Sequence, residues 1–220
     1  MTMKPCACLD SPPSRAIPSA IPTSGSFMSQ GVGGLAKDDR EAARLYQLAA
    51  DQGNAVAQNN LGIFYRDGRG GLAKDDQEAA RLFKLAADQG NANAQNGLGF
   101  FYANGRGGLP QSDEEAARLY RLAAEQGHAF ARINLGSLYQ IGRGGLPRDD
   151  VEAARLYRLA AEQGVSIAQN KLAMFYEEGL GGLQKNIGEA TRLYKLAAEQ
   201  DSNLEAKRQA SDALKRLGAL

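Results

Sequence analysis

Residues 75–109 read DDQEAARLFKLAADQGNANAQNGLGFFYANGRGGL, and this stretch decides the fold. Ala79, Leu82, Phe83, Ala86 and Ala87 fall at the three-and-four spacing that puts apolar side chains on one face of a helix. Asp75 followed three residues later by Glu78 has the form of a capping box, so a helix is expected from about Asp75 to Gln89. Gly90 then supplies a residue that can turn left-handed and close it. A second helix follows at once, with Ala94, Leu98, Gly99 and Tyr102 as its packing stripe. The glycine-rich segment ending at Leu109 turns the chain again, and its leucine is expected to plug the gap between helices.

The same unit recurs along the chain. Glu-Ala-Ala-Arg-Leu-Tyr begins at Glu41, Glu115 and Glu152, with close variants at Glu78 and Glu189, in steps of 37 residues. Gly-Gly-Leu ends at Leu35, Leu72, Leu109, Leu146 and Leu183 in the same step. The capping residue changes between Asp38, Asp75, Ser112, Asp149 and Asn186, yet each is a good acceptor for an N-terminal N–H. A period held over five copies implies stacked two-helix units that bury a continuous core between neighbours. The expected fold is therefore all-α, a right-handed superhelical solenoid of antiparallel helix pairs.

The motif set Ala-x-x-x-Leu-Gly-x-x-Tyr, Gly-x-Gly-Gly-Leu and Asp-x-x-Glu-Ala-Ala-x-Leu-Tyr-x-x-Ala-Ala-x-Gln-Gly resembles the Sel-like repeat, over about Gly31 to Gln200. The resemblance implies an adaptor or scaffold built for protein–protein interaction, with the first helix of each repeat (helix A) lining the concave side. Some bacterial members carry a disulfide in every repeat, whereas this chain has only Cys6 and Cys8, ahead of the repeats.

Composition removes other classes. The formal net charge is +1, so no positive field recommends a nucleic acid or an anionic membrane surface as partner. No apolar run is long enough to span a bilayer, and no secretory signal is visible, which points to a cytoplasmic protein without membrane insertion. Residues 1–22 hold five of the seven prolines and read as a disordered tail. Residues 23–200 are the repeat array, and 201–220 a capping helix in which Leu204, Ala210, Leu214 and Leu217 cover the last repeat. Ala20, Gly25, Phe27 and Gly31 match one period upstream of Ala57, Gly62, Phe64 and Gly68, a decayed half-repeat with at best a short helix over 23–30. That incomplete end could support self-association.

No acid, base or nucleophile breaks the repeat pattern as a catalytic site would, so no enzyme activity, metal or cofactor is expected. His128 replaces the asparagine found at Asn54 and Asn91 and reads as a capping or surface residue. The acidic pairs beginning at Asp38, Asp75 and Asp149 read as caps, and the Arg-Gly-Gly tripeptides at Arg69, Arg106 and Arg143 as turns that would align a basic edge. A repeat-built hydrolase, or a module of a larger assembly, are the competing functional readings.

The candidate binding surface lies where the copies disagree. Along helix A the variable stripe is Val56, Asn59 and Ile63 in one copy, then Asn96 and Phe100 in the next. Phe130, Ile133 and Ser137 follow, and Ile167, Asn170 and Met174 close the row. These are expected to tile a concave groove that holds a peptide or protein segment. The competing reading is that they pack between adjacent A helices.

Overall fold

The computed structural model describes residues 38–200 and 203–219, and every regular element among them is an α-helix. The capped helices, here called B, are α1 (Asp39–Asp51), α3 (Asp76–Asp88), α5 (Asp113–Glu125), α7 (Asp150–Ala161) and α9 (Ile187–Ala198). Between them run the A helices α2 (Ala55–Asp67), α4 (Ala92–Asn104), α6 (Ala129–Ile141) and α8 (Ser166–Glu178), and α10 (Leu204–Arg216) follows last. Each helix packs chiefly on its neighbours in the chain, which makes the molecule a solenoid of helix pairs. The tail 1–22, both cysteines and the expected short helix over 23–30 lie outside the described residues.

The predicted caps form, but as half of a capping box. Asp38, Asp75 and Asp149 each accept from two backbone N–H groups, and Ser112 and Asn186 from one. The reciprocal bond from the glutamate is missing because the N–H it would accept is already used. Asp75 donates to Tyr65 O at 2.9 Å, and Ser112, Asp149 and Asn186 donate likewise to Tyr102, Tyr139 and Tyr176. The freed glutamates pair with the arginine one turn on, as in Glu78–Arg81 at 2.6 Å.

The loops fix how closely repeats approach. The A helices end on the left-handed glycines Gly68, Gly105, Gly142 and Gly179. Two residues further, Gly70 is also left-handed (φ 66°), and a Cβ there would lie 2.8 Å from Ala43 Cβ and overlap Asp39 O. The loop thus presses on the first turn of the preceding B helix, and only a residue without a side chain fits. Leu72, Leu109, Leu146 and Leu183 pack half-buried against the cores, as the sequence suggested.

Inside, the B face is as predicted, with Ala79, Leu82, Phe83, Ala86 and Ala87 all buried. The A stripe needs one correction. The deepest aromatic positions are Phe64, Phe101 and Phe175, whereas the tyrosines that follow them are half-buried. These phenylalanines meet a B-helix ring edge-on, Phe83–Phe101 at 5.4 Å and Tyr157–Phe175 at 5.4 Å. The glycine of the stripe lets the next B ring lie against bare backbone: a Cβ on Gly99 would sit 2.8 Å from the Tyr120 ring.

Helix α10 occupies the place of a further A helix, packed on α9 and α8. Ala206, Ala210, Ala213 and Leu214 are buried. Leu204, expected to cover the array, is instead 76% exposed, because it stands at the first residue of the helix, ahead of the buried set.

Candidate functional site

The variable A-helix residues occupy two different environments. Val56 and Phe130 are exposed near the starts of α2 and α6 (Phe130 50%), and Phe100 is 43% exposed in α4. Ile63, Ser137, Ile167 and Met174 are half-buried beside them. Asn59, Ile133 and Asn170, by contrast, are buried, and Asn96 is half-buried. Asn96, Ile133 and Asn170 are used between neighbouring helices, whereas Asn59 donates to Asn60 Oδ1 at 3.1 Å within its own helix. Asn134 donates to Asn96 Oδ1 at 3.1 Å, Asn170 donates to Ala206 O at 2.7 Å, and Ile133 belongs to the core that α8 shares. For Ile133 and Asn170 the packing alternative describes the geometry, while Asn96 keeps part of its side chain accessible.

The surface row is displaced by one residue at those positions. Asn60, Gly97, Asn134 and Lys171 take the places given to Asn59, Asn96, Ile133 and Asn170, and all four are partly accessible. Spacings of four and three, rather than three and four, describe the face that meets water, and both keep a row on one side of a helix. Ile141, 56% exposed one period before Glu178, continues it.

Two hollows lie on this face. One of about 200 Å³ is bordered by Phe130, Val165 and Ile167. A larger one, about 600 Å³, lies between α8 and α10 and is lined by Ile167, Lys171, Met174, Tyr194, Ala213 and Arg216, among others. Arg216 reaches back to Glu177 at 2.8 Å, and the Tyr194 hydroxyl donates to the same carboxylate at 3.0 Å. Burial raises the Tyr194 hydroxyl well above its ordinary value, so it stays a donor. Lys171 lies with Nζ 5.2 Å from the centre of the Tyr157 ring, and burial lowers its pKa. Lys171, Ala213 and Arg216 did not stand out in the sequence, the last two because α10 has no repeat motif. The usable signal was positional, a cation where sister copies have Asn60, Gly97 and Asn134.

Among the described residues no group of three His, Cys, Asp or Glu side chains could hold a metal ion, and no helix is long and apolar enough to cross a membrane. A family model described as the Sel1 repeat matches residues 25–54, 55–91, 92–128, 129–165 and 166–202. The chain belongs to the Sel1 repeat family. Each Sel1 unit from residue 55 onward is therefore an A helix followed by its B helix. Proteins built of Sel1 repeats are generally non-catalytic scaffolds for protein interaction. Among solved structures, a Sel1 repeat protein from Oxalobacter formigenes is 32% identical with a TM-score of 0.79, covering 94% of this chain and 80% of its own. A protective antigen of uropathogenic Escherichia coli is 32% identical with a TM-score of 0.72 over 91% of this chain, which spans only 42% of that protein. An immunity protein from Pseudomonas aeruginosa, 18% identical with a TM-score of 0.55 over 91% of this chain and 81% of its own, shares the fold. No curated protein matches the chain.

The Sel1 loop arginines do not form a free basic edge. Arg69, Arg106 and Arg143 bind Asp39, Asp76 and Asp113, thirty residues earlier, across the repeat boundary. The acidic pairs thus divide their work: the first aspartate caps the helix and the second receives the next loop. In the last unit Leu180 replaces the arginine, Asp150 turns to Arg148 at 3.0 Å, and Asp150 Oδ1 is buried without a hydrogen-bond partner. His128 is the N-cap of α6, as the sequence suggested, with Nδ1 accepting from Ala131 N–H at 3.1 Å.

Proposed function

We propose that this Sel1 repeat array is a non-catalytic adaptor that holds a segment of a partner protein against the concave face formed by its A helices. What supports the reading is the run of accessible apolar side chains Phe100, Phe130, Ile141, Ile167 and Met174 on one face, of which Phe130, Ile167 and Met174 border the two hollows. Interface energy concentrates in a few anchors set in such hollows, aromatics foremost. Asn59, Ile133 and Asn170 support this face from beneath, and Val56, Ile63, Asn96 and Ser137 flank the anchors.

The experiment recovers bound proteins with the immobilised chain and compares two variants. Phe130→Ser is expected to weaken capture by about 2 kcal/mol. Its melting curve should hardly move, since half of the side chain is already in water. Arg81→Ser, on the opposite layer, should leave both unchanged. Unfolding of the Phe130→Ser protein, or capture unaffected by it, would overturn the reading.

A further inference from the structure

The four A helices carry Asn60, Gly97, Asn134 and Lys171 at one repeat position, and only the last is charged. Lys171 stands on the accessible face in the same helix as Ile167 and Met174, and all three border the larger hollow. Its ammonium lies against the face of Tyr157, and among the described residues it has no ion-pair partner. The other charges around this hollow are differently placed. Arg216 is held by Glu177, Asp212 faces Lys215 at 3.9 Å with two thirds of its side chain exposed, and Glu178 is exposed.

We infer that Lys171 is the polar anchor of the partner site, and that the segment bound there carries an acidic side chain flanked by apolar residues. This rests on the reading of the A face as the partner surface. A cation half out of water and stacked on a ring has lost hydration without gaining a counter-charge, and burial disfavours its charged form accordingly. A carboxylate arriving with a partner restores that loss in a site from which water is being displaced, where the attraction is less screened than at an open surface. Asp212 and Glu178 act against it only from exposed positions, where solvent weakens their repulsion. The apolar neighbours of the acid would fill the space beside Ile167, Met174 and Ala213.

The test pans short random peptides displayed on phage against the full chain, then measures the selected peptides by fluorescence anisotropy. The expected selection is enriched in Asp or Glu between apolar residues. Lys171→Met, which keeps the stem and removes the charge, should weaken these peptides about tenfold, and Lys171→Arg should retain most of the affinity. Replacing the peptide's acid by its amide should cost about tenfold on the wild type and little on Lys171→Met. Circular dichroism melts establish that each variant is folded. Peptides that depend on Phe130 but ignore Lys171 would overturn this inference and leave the A face as the partner surface. No selection at all, or peptides indifferent to both Phe130→Ser and Lys171→Met, would overturn both.

Discussion

Asn54, Asn91 and His128 begin successive A helices with the same bond, a side-chain acceptor three residues ahead of a backbone N–H. Only the histidine can lose that acceptor near neutral pH. With Nδ1 accepting from Ala131, the ring is neutral and carries its proton on Nε2, 3.0 Å from Asn93 Oδ1 on the preceding A helix. Protonation would remove the cap and place a positive charge at the positive end of a helix dipole. Burial is the leading cause that lowers the folded-state pKa, with its own backbone hydrogen bond acting against it. The unfolded chain therefore takes the proton first, near the ordinary imidazole value of about 6.5. The stability from this cap is complete above that pH and is lost as pH falls toward the lower folded value. Comparing melts of the wild type and His128→Asn from pH 8 down to about 5 isolates the effect, because every other titration is shared. The gap between the two curves should shift in favour of the asparagine variant on acidification. A constant gap would show that the ring is not held neutral.

At the scale of helices and loops, the clasp between an arginine loop and the preceding B helix ties each Sel1 unit to the next. Arg106 makes two bonds to Asp76, at 3.0 and 2.8 Å, and lies 4.8 Å from the Phe101 ring centre. Both partners are less than a third exposed, so the pair is worth more than an open surface bridge. Arg106→Leu reproduces what the last unit already has at Leu180, and is expected to cost about 1.5 kcal/mol in urea titration with the slope unchanged. A neutral result would show that the clasp only follows the loop. This junction also shows what could be read beforehand. The period, caps and B-helix core were legible because each copy repeats the same local physics. Arg69 and Asp39 also recur in step, but nothing local says that residues thirty apart will meet. On the A face, variation marked both the surface row and the row between A helices, since each helix meets a different neighbour. Asn96, Ile133 and Asn170 vary because they answer to the adjacent helix, and a turn of 3.6 residues leaves the choice between them and Gly97, Asn134 and Lys171 open.

Across the whole molecule, the repeats are held by similar links of unequal strength. Gln89, Gln126 and Gln200 each donate to a glutamine thirty-one residues earlier, on the A helix of the same unit, at 2.7–2.9 Å. In the unit of residues 129–165 Arg132 stands in that place and bonds the carbonyls of Ala124 and Leu159 instead. The apolar core is also uneven, with its largest cluster running from Ile133 through α7, α8, α9 and α10, while the three clusters before it are smaller. Stability in such an array is close to a sum of unit and neighbour terms, so a defect placed early need not spread to the end. Phe101, 1% exposed and edge-on to Phe83, is the place for that defect. Removing its ring should cost about 3–4 kcal/mol, because a helix pair held on both sides cannot collapse fully into the space. The half-buried Tyr102 should cost less when cut to alanine. In Phe101→Ala, hydrogen exchange in moderate urea should show α3 and α4 opening first, while α7, α8 and α9 keep their protection. Urea unfolding followed by circular dichroism should then separate into two steps, the second near the wild-type midpoint. One sharp transition moved wholly to lower urea would mean that the neighbour terms exceed the deficit, and that the array unfolds as a single cooperative unit.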